Sequence, residues 1–140
     1  MNPRKTRKVL IAEDNALIAM SLREVLSLIG LEVVGVAASV NEAVCLAQNT
    51  RPDLVIFDVR LTGKRDGVEG AALLREIMEV AVIFLTATGD QETRARAQVV
   101  YPAASYLSKP VSSQQLVAAV ESALMQRDVG LKTAKDVEEK

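Results

Sequence analysis

Five residues interrupt or end apolar runs with side chains that can do chemistry: Glu13, Asp14, Asp58, Thr86 and Lys109. Three carboxylates brought together repel one another and favour a hard divalent cation, and oxygen-only ligation by few protein groups suits Mg²⁺. A carboxylate is also a competent nucleophile for phosphorus, giving an aspartyl phosphate. A lysine ammonium can pair with one phosphoryl oxygen, and a threonine hydroxyl can donate to another. A cation bridging to the phosphoryl oxygens offsets charge that develops during transfer. The set matches what an aspartate-phosphorylated site requires.

These residues lie far apart in sequence, so the fold must bring them together. Five apolar runs are spaced along the chain: Lys8–Ala12, Leu31–Val36, Leu54–Phe57, Val80–Leu85 and Ala104–Leu107. Most are rich in β-branched residues and nearly continuous, as expected for strands buried on both faces of a parallel sheet. Helical spacing fills the intervals. Ile18, Leu22, Val25 and Ile29 form one stripe, with Gly30 placed to stop the helix. Ser39–Glu42 and Ser112–Gln115 read as capping boxes, opening helices through Ala47 and about Met125. Asp66-Gly67 precedes a helix to about Met78, and Asp90 is the expected N-cap of the next. Strand–helix alternation predicts an α/β parallel sheet with helices on both faces. The polar breaks then all fall at strand carboxyl ends, the edge where such sheets bind ligands.

The expected organisation is an extension over residues 1–6, one domain over 7–126, and a charged tail or truncated linker over 127–140 that loses periodicity at Gly130. The chain has 140 residues, enough for a full core in one domain. It contains no histidine, which excludes Ser/His hydrolysis, His-ligated metals and phosphohistidine formation on this chain. A single cysteine, Cys45, excludes an intrachain disulfide framework and is expected as inert core. A net charge of −1 and the absence of tryptophan argue against a nucleic-acid module. No stretch reads as a signal peptide or a membrane span, so the expectation is a cytoplasmic protein with no membrane association.

The segments VLIAEDN (9–15), DLVIFDVRL (53–61), DG (66–67), VIFLTA (82–87) and YLSKP (106–110) together resemble the receiver domain of bacterial two-component response regulators. The resemblance covers about residues 7–126. It implies a flavodoxin-like doubly wound (βα)5 fold with strand order 2-1-3-4-5. It also implies Asp58 as phosphoacceptor, with Asp14, Asp58 and the backbone carbonyl of Arg60 binding Mg²⁺, and Glu13 acting largely through a metal-bound water. Lys109 would contact the phosphoryl group, Thr86 would be the switch hydroxyl, and Tyr106 the aromatic switch residue. Arg60 and Thr88 would flank the approach of water and set the lifetime of the phosphorylated form. Such a domain is a phosphoacceptor rather than an enzyme, and its donor is a sensor histidine kinase or histidine phosphotransfer protein. The surface around Asp90–Val99 and Ala104–Met125 would carry the response to a partner or a homodimer. The alternative is a receiver fragment of a larger regulator, with a DNA-binding or nucleotide-cyclase domain after residue 140.

Other readings of these residues follow from local chemistry. Glu13-Asp14 suits a helix cap, Lys109-Pro110 a cis-proline turn, and Tyr106 half-buried packing. The Arg4-Lys5-Arg7-Lys8 run suits a solvated terminus. A flavin site is disfavoured because Glu13-Asp14 would repel a phosphate in the first loop. A haloacid-dehalogenase-type phosphatase needs a second aspartate where Arg60 stands.

Overall fold

The computed structural model describes residues 6–138 apart from 62, 64 and 88–90, with side chains described as far as residue 130. Five parallel strands form one sheet: β1 (Lys8–Ala12), β2 (Glu32–Ala37), β3 (Leu54–Asp58), β4 (Ala81–Ala87) and β5 (Ser105–Lys109). Their order is β2-β1-β3-β4-β5, the flavodoxin-like arrangement. The central strands β1, β3 and β4 are almost wholly buried, which explains why they read as unbroken apolar runs. The edge strands β2 and β5 are only half-buried.

Five helices connect and cover the strands: α1 (Ala16–Leu28), α2 (Val40–Thr50), α3 (Gly67–Ile77), α4 (Gln91–Val100) and α5 (Ser113–Glu138). Helices α2, α3 and α4 cover one face, where Ala43, Ala47, Leu74 and Ala97 meet Val55, Phe57 and Phe84. Helices α1 and α5 cover the other, where Leu22, Leu26, Leu116 and Val120 meet Ile11, Ile56 and Leu85. Successive strand residues point to opposite faces. That period carries Ile11, Ile56 and Leu107 of the α1–α5 layer up to Glu13, Asp58 and Lys109, so these three polar side chains arrive on the same side.

The helix starts follow the local chemistry. Ser112 and Gln115 form a reciprocal capping box, Gln115 N donating to Ser112 Oγ at 3.1 Å and Ser112 N to Gln115 Oε1 at 3.3 Å. Ser39 Oγ accepts from Glu42 N at 3.2 Å, and Asp66 Oδ1 accepts from Glu69 N at 3.0 Å. Gly30, at φ +89°, turns the chain out of α1 while its N–H donates to Ser27 O at 3.1 Å. The Lys109-Pro110 peptide is cis, as its turn reading anticipates.

Several expectations are corrected. Of the predicted α1 stripe, Leu22 is buried and Ile18 and Val25 pack half-buried against the same layer, joined by Ala19 and Leu26, whereas Ile29 lies at the C-cap and is 40% exposed. Cys45 is exposed rather than core. The buried positions of α2 are Val40, Ala43 and Ala47, and a residue two past Ala43 is about 200° round the helix from it. The last helix, expected to end at about Met125, does not stop there or at Gly130, because α5 runs on to Glu138. A helix-interior glycine costs about 1 kcal/mol relative to alanine. Here the preceding turn is anchored: Arg127 Nε and Nη2 each donate to Glu79 O at 3.2 Å, and Arg127 Nη1 lies 3.4 Å from Asp53 Oδ1. Asp128 pairs with Arg7. Arg7 is therefore tied to α5, not merely solvated, while Arg4 and Lys5 lie outside the described residues. Asp90, the expected cap of α4, also lies outside them.

Candidate functional site

Asp58 closes β3 at the carboxyl edge of the sheet and is 5% exposed. Its Oδ1 accepts from Arg60 N at 3.1 Å, and its Oδ2 accepts from Lys109 Nζ at 2.7 Å. The same ammonium lies 2.7 Å from Glu13 Oε1. Lys109 therefore bridges two buried carboxylates that come from the ends of the adjacent strands β1 and β3. Glu13 follows β1 and continues its ladder, with Glu13 N donating to Ala37 O at 2.9 Å. Its Oε2 accepts from Asn15 N at 3.2 Å.

Asn15, not the acidic pair, caps α1: its Oδ1 accepts from Leu17 N at 3.0 Å and Ile18 N at 3.1 Å. That removes the helix-cap explanation for Glu13-Asp14. Glu13 turns into the sheet edge, and Asp14 sits exposed beside it. One oxygen from each of Glu13, Asp14 and Asp58 lies within 4.8 Å of the others. Glu13 Oε1 is buried and, although it lies 2.7 Å from Lys109 Nζ, accepts no well-aligned hydrogen bond among the described residues. An all-oxygen donor set with an under-satisfied buried member fits a hard divalent cation.

The electrostatics follow from crowding. Burial, reinforced by Asp58, pushes the Glu13 carboxyl up to about 7 against the opposing pull of Lys109 and the Asn15 N–H. Burial pulls the Lys109 ammonium down, but Asp58 and Glu13 outweigh it and hold its pKa above the ordinary lysine value. The lysine is thus a fixed positive charge at neutral pH.

Thr86 is buried near the end of β4, in register with Ser108 of β5. It shares strand parity with Phe84, so it belongs to the α2–α3–α4 side with Tyr106. Tyr106 is half-buried, its ring stacked on Phe84 at 5.7 Å between centroids. Its hydroxyl is buried without a hydrogen-bond partner among the described residues, and the Arg94 guanidinium lies 4.9 Å from the ring centre. Burial raises its pKa. Arg60 reaches Asp58 through its backbone N–H while the residue is exposed, and Thr88 lies outside the described residues. Two features were not anticipated. Asp66 pairs with Arg96 on α4, and Gly67 N donates to Val59 O at 2.8 Å, closing the loop after Asp58. The Asp66-Gly67 pair was visible as a helix start, but nothing in its spelling announced those partners.

Residues 9–121 match the response regulator receiver domain family. The transcriptional regulatory protein PdtaR of Mycobacterium tuberculosis is 42% identical over 118 residues, covering 84% of this chain and 57% of that protein. The chain therefore spans little more than half the length of that relative. Among solved structures, the signal receiver domain of a modulated diguanylate cyclase from Desulfovibrio desulfuricans G20 is similar with a TM-score of 0.82 and 39% identity, over 90% of this chain and 99% of that one. The N-terminal domain of a response regulator/sensory box/GGDEF three-domain protein from Carboxydothermus hydrogenoformans gives a TM-score of 0.80 and 30% identity, over 89% and 99%. With five parallel strands in the order 2-1-3-4-5 and two buried acids bridged by a lysine, the chain, matched over residues 9–121, belongs to the response regulator receiver domain family.

Proposed function

We propose that Asp58 accepts a phosphoryl group from a phosphohistidine on a separate protein, a sensor histidine kinase or a histidine phosphotransfer protein. The observation that carries this reading is Lys109 Nζ at 2.7 Å from both Glu13 Oε1 and Asp58 Oδ2. A carboxylate oxygen of Asp58 forms the new bond to phosphorus as the phosphorus–nitrogen bond to the donor imidazole breaks. Asp14, Asp58 and the Arg60 carbonyl would hold Mg²⁺, with Glu13 acting largely through a metal-bound water. When bound, the cation supplies positive charge against the phosphoryl oxygens. Lys109 pairs with the transferred group, and the Thr86 hydroxyl donates to it. Thr86 moving toward that group alters the space beside Tyr106, and the equilibrium of the α4–β5–α5 face shifts. A partner or a second copy of the chain reads that face.

The receiver unit is taken as residues 7–126, with the rest of α5 as its outgoing helix. No described helix is long and apolar enough to cross a membrane, and a cytoplasmic location fits the proposed donors. The decisive experiment is mass-spectrometric labelling with acetyl phosphate in the presence of Mg²⁺. Label is expected on Asp58 alone. Label persisting at the wild-type level in Asp58→Ala overturns the assignment.

The length of PdtaR, of which the matching region covers 57%, favours a second reading of context. The chain is then the receiver portion of a longer regulator, with a DNA-binding or nucleotide-cyclase output after residue 140. The gene sequence beyond codon 140 tests it.

A further inference from the structure

We infer that Gly67 is a positioning residue for Asp58, because its missing side chain lets the first turn of α3 seat directly on the phosphoacceptor's own backbone. The inference rests on the reading of Asp58 as phosphoacceptor. A Cβ at position 67 would lie 2.3 Å from the Asp58 carbonyl oxygen, 3.0 Å from its carbonyl carbon and 3.1 Å from Val59 Cα. All three are backbone atoms of the strand end, so none can swing aside as a side chain can. A methyl there forces a separation of about 0.7 Å, from 2.3 Å to the 3.0 Å that real contacts respect. Either α3 or Asp58 must move.

The surroundings oppose both movements. Asp58 is paired with Leu85 in the β3–β4 ladder, and Val59 N donates to Leu85 O at 3.0 Å. Arg60 N holds Oδ1 at 3.1 Å. On the other side, Gly67 N donates to Val59 O at 2.8 Å and Asp66 caps α3, so the loop is closed at its base. The carboxylate is thus aimed from two directions, by the sheet and by the end of α3. Lys109 and the acid cluster meet it in one place only while that seat is closed. Misplacement by about an ångström costs on the order of 100-fold in a reaction that depends on alignment.

A control lies one turn along the same helix. A Cβ at Gly70 would lie 2.9 Å from the Phe57 ring, which is core packing and not the backbone of Asp58. Gly67→Ala and Gly70→Ala should therefore both lower stability, but only one should disturb the chemistry. The test measures the rate of Asp58 labelling by acetyl phosphate with Mg²⁺, beside the urea midpoint, for wild type and both variants. Gly67→Ala is expected to label 10-fold to 100-fold more slowly and Gly70→Ala within about 2-fold of wild type. Equal labelling rates in Gly67→Ala and wild type overturn the inference, as does equal slowing in both variants. Absence of label in wild type removes the phosphoacceptor reading along with it. Should Gly67→Ala fail to fold, hydrogen exchange on the wild-type protein decides. The Gly67 amide should be protected several-fold further when beryllofluoride and Mg²⁺ are added, and unchanged exchange refutes the coupling.

Discussion

Replacing Glu13 with glutamine keeps the side chain's shape and removes its ionisation. In the folded protein the carboxyl titrates at about 7, against an ordinary value of 4.5, chiefly because it is buried. Between those two values the folded protein holds a proton that the unfolded chain has released. Stability therefore falls as pH rises through this window. The contribution is fully present below about 4.5 and lost as pH passes about 7. A shift of that size corresponds to about 3 kcal/mol, which the metal-free wild type forfeits between pH 5 and 8 and Glu13→Gln does not. The assay is urea unfolding in EDTA across that range. Near pH 5 the two proteins should be close in stability, since both present a neutral group. By pH 8 the variant should be the more stable, with its midpoint higher by roughly 1–3 M for a urea slope of about 1–3 kcal/mol per M. Every other titrating group is common to both proteins, so the difference isolates Glu13. Mg²⁺ should narrow the gap, because an ionised Glu13 then gains an opposite charge. Parallel stability curves across the range would show that the buried carboxyl stays ionised at no cost and refute the reasoning.

Three further outcomes are expected. Thr86→Ala should still accept label on Asp58, while the chemical-shift changes that phosphorylation causes over residues 91–100 and 104–125 are lost; equal shifts in wild type and variant would rule out the coupling. Arg60→Ala should shorten the lifetime of the phosphorylated form several-fold, equivalent to about 1 kcal/mol in barrier, because an exposed cationic side chain beside Asp58 no longer obstructs water. Decay of label at fixed Mg²⁺ checks it, and an equal or longer lifetime shows that Arg60 points away. Gly130→Ala should raise stability by about 0.5–1 kcal/mol, since the position is helical and nothing lies within 4 Å of an added Cβ. An unchanged or lower urea midpoint contradicts it.

The strands and their polar ends were legible because a doubly covered parallel sheet demands continuous apolar runs, and a polar residue is tolerated only where such a run meets an edge. Asp58 and Lys109 are the last residues of their strands, and Thr86 is the last but one. The helices were legible as elements but less so as faces. Ala43 and Cys45 are both small and apolar, and only the actual phase of α2 decides which of them meets the sheet. The length of α5 was hidden because its support is tertiary. Arg127 and Asp128 look like surface charges until Glu79 O, Asp53 and Arg7 are found opposite them. Gly67 was visible as a helix start, yet its contact with the Asp58 carbonyl depends on an approach between two segments that no local pattern encodes.

The two apolar layers differ in one respect that matters at the bench. The chain has two phenylalanines, two tyrosines and no tryptophan. All four aromatic rings, Phe57, Phe84, Tyr101 and Tyr106, belong to the α2–α3–α4 side of the sheet, and none to the α1–α5 side. The protein is optically one-sided. Its ultraviolet emission comes from two tyrosines, one stacked on Phe84 beneath Arg94 and the other lying under Arg75 with its hydroxyl on Val80 O. A repositioned Tyr106 would change that emission without any attached dye, while a shift of α1 alone would leave it unchanged. A tryptophan introduced on the exposed surface of α5, at Met125 for instance, would give the silent face a colour of its own and let the two layers be followed separately in one cuvette.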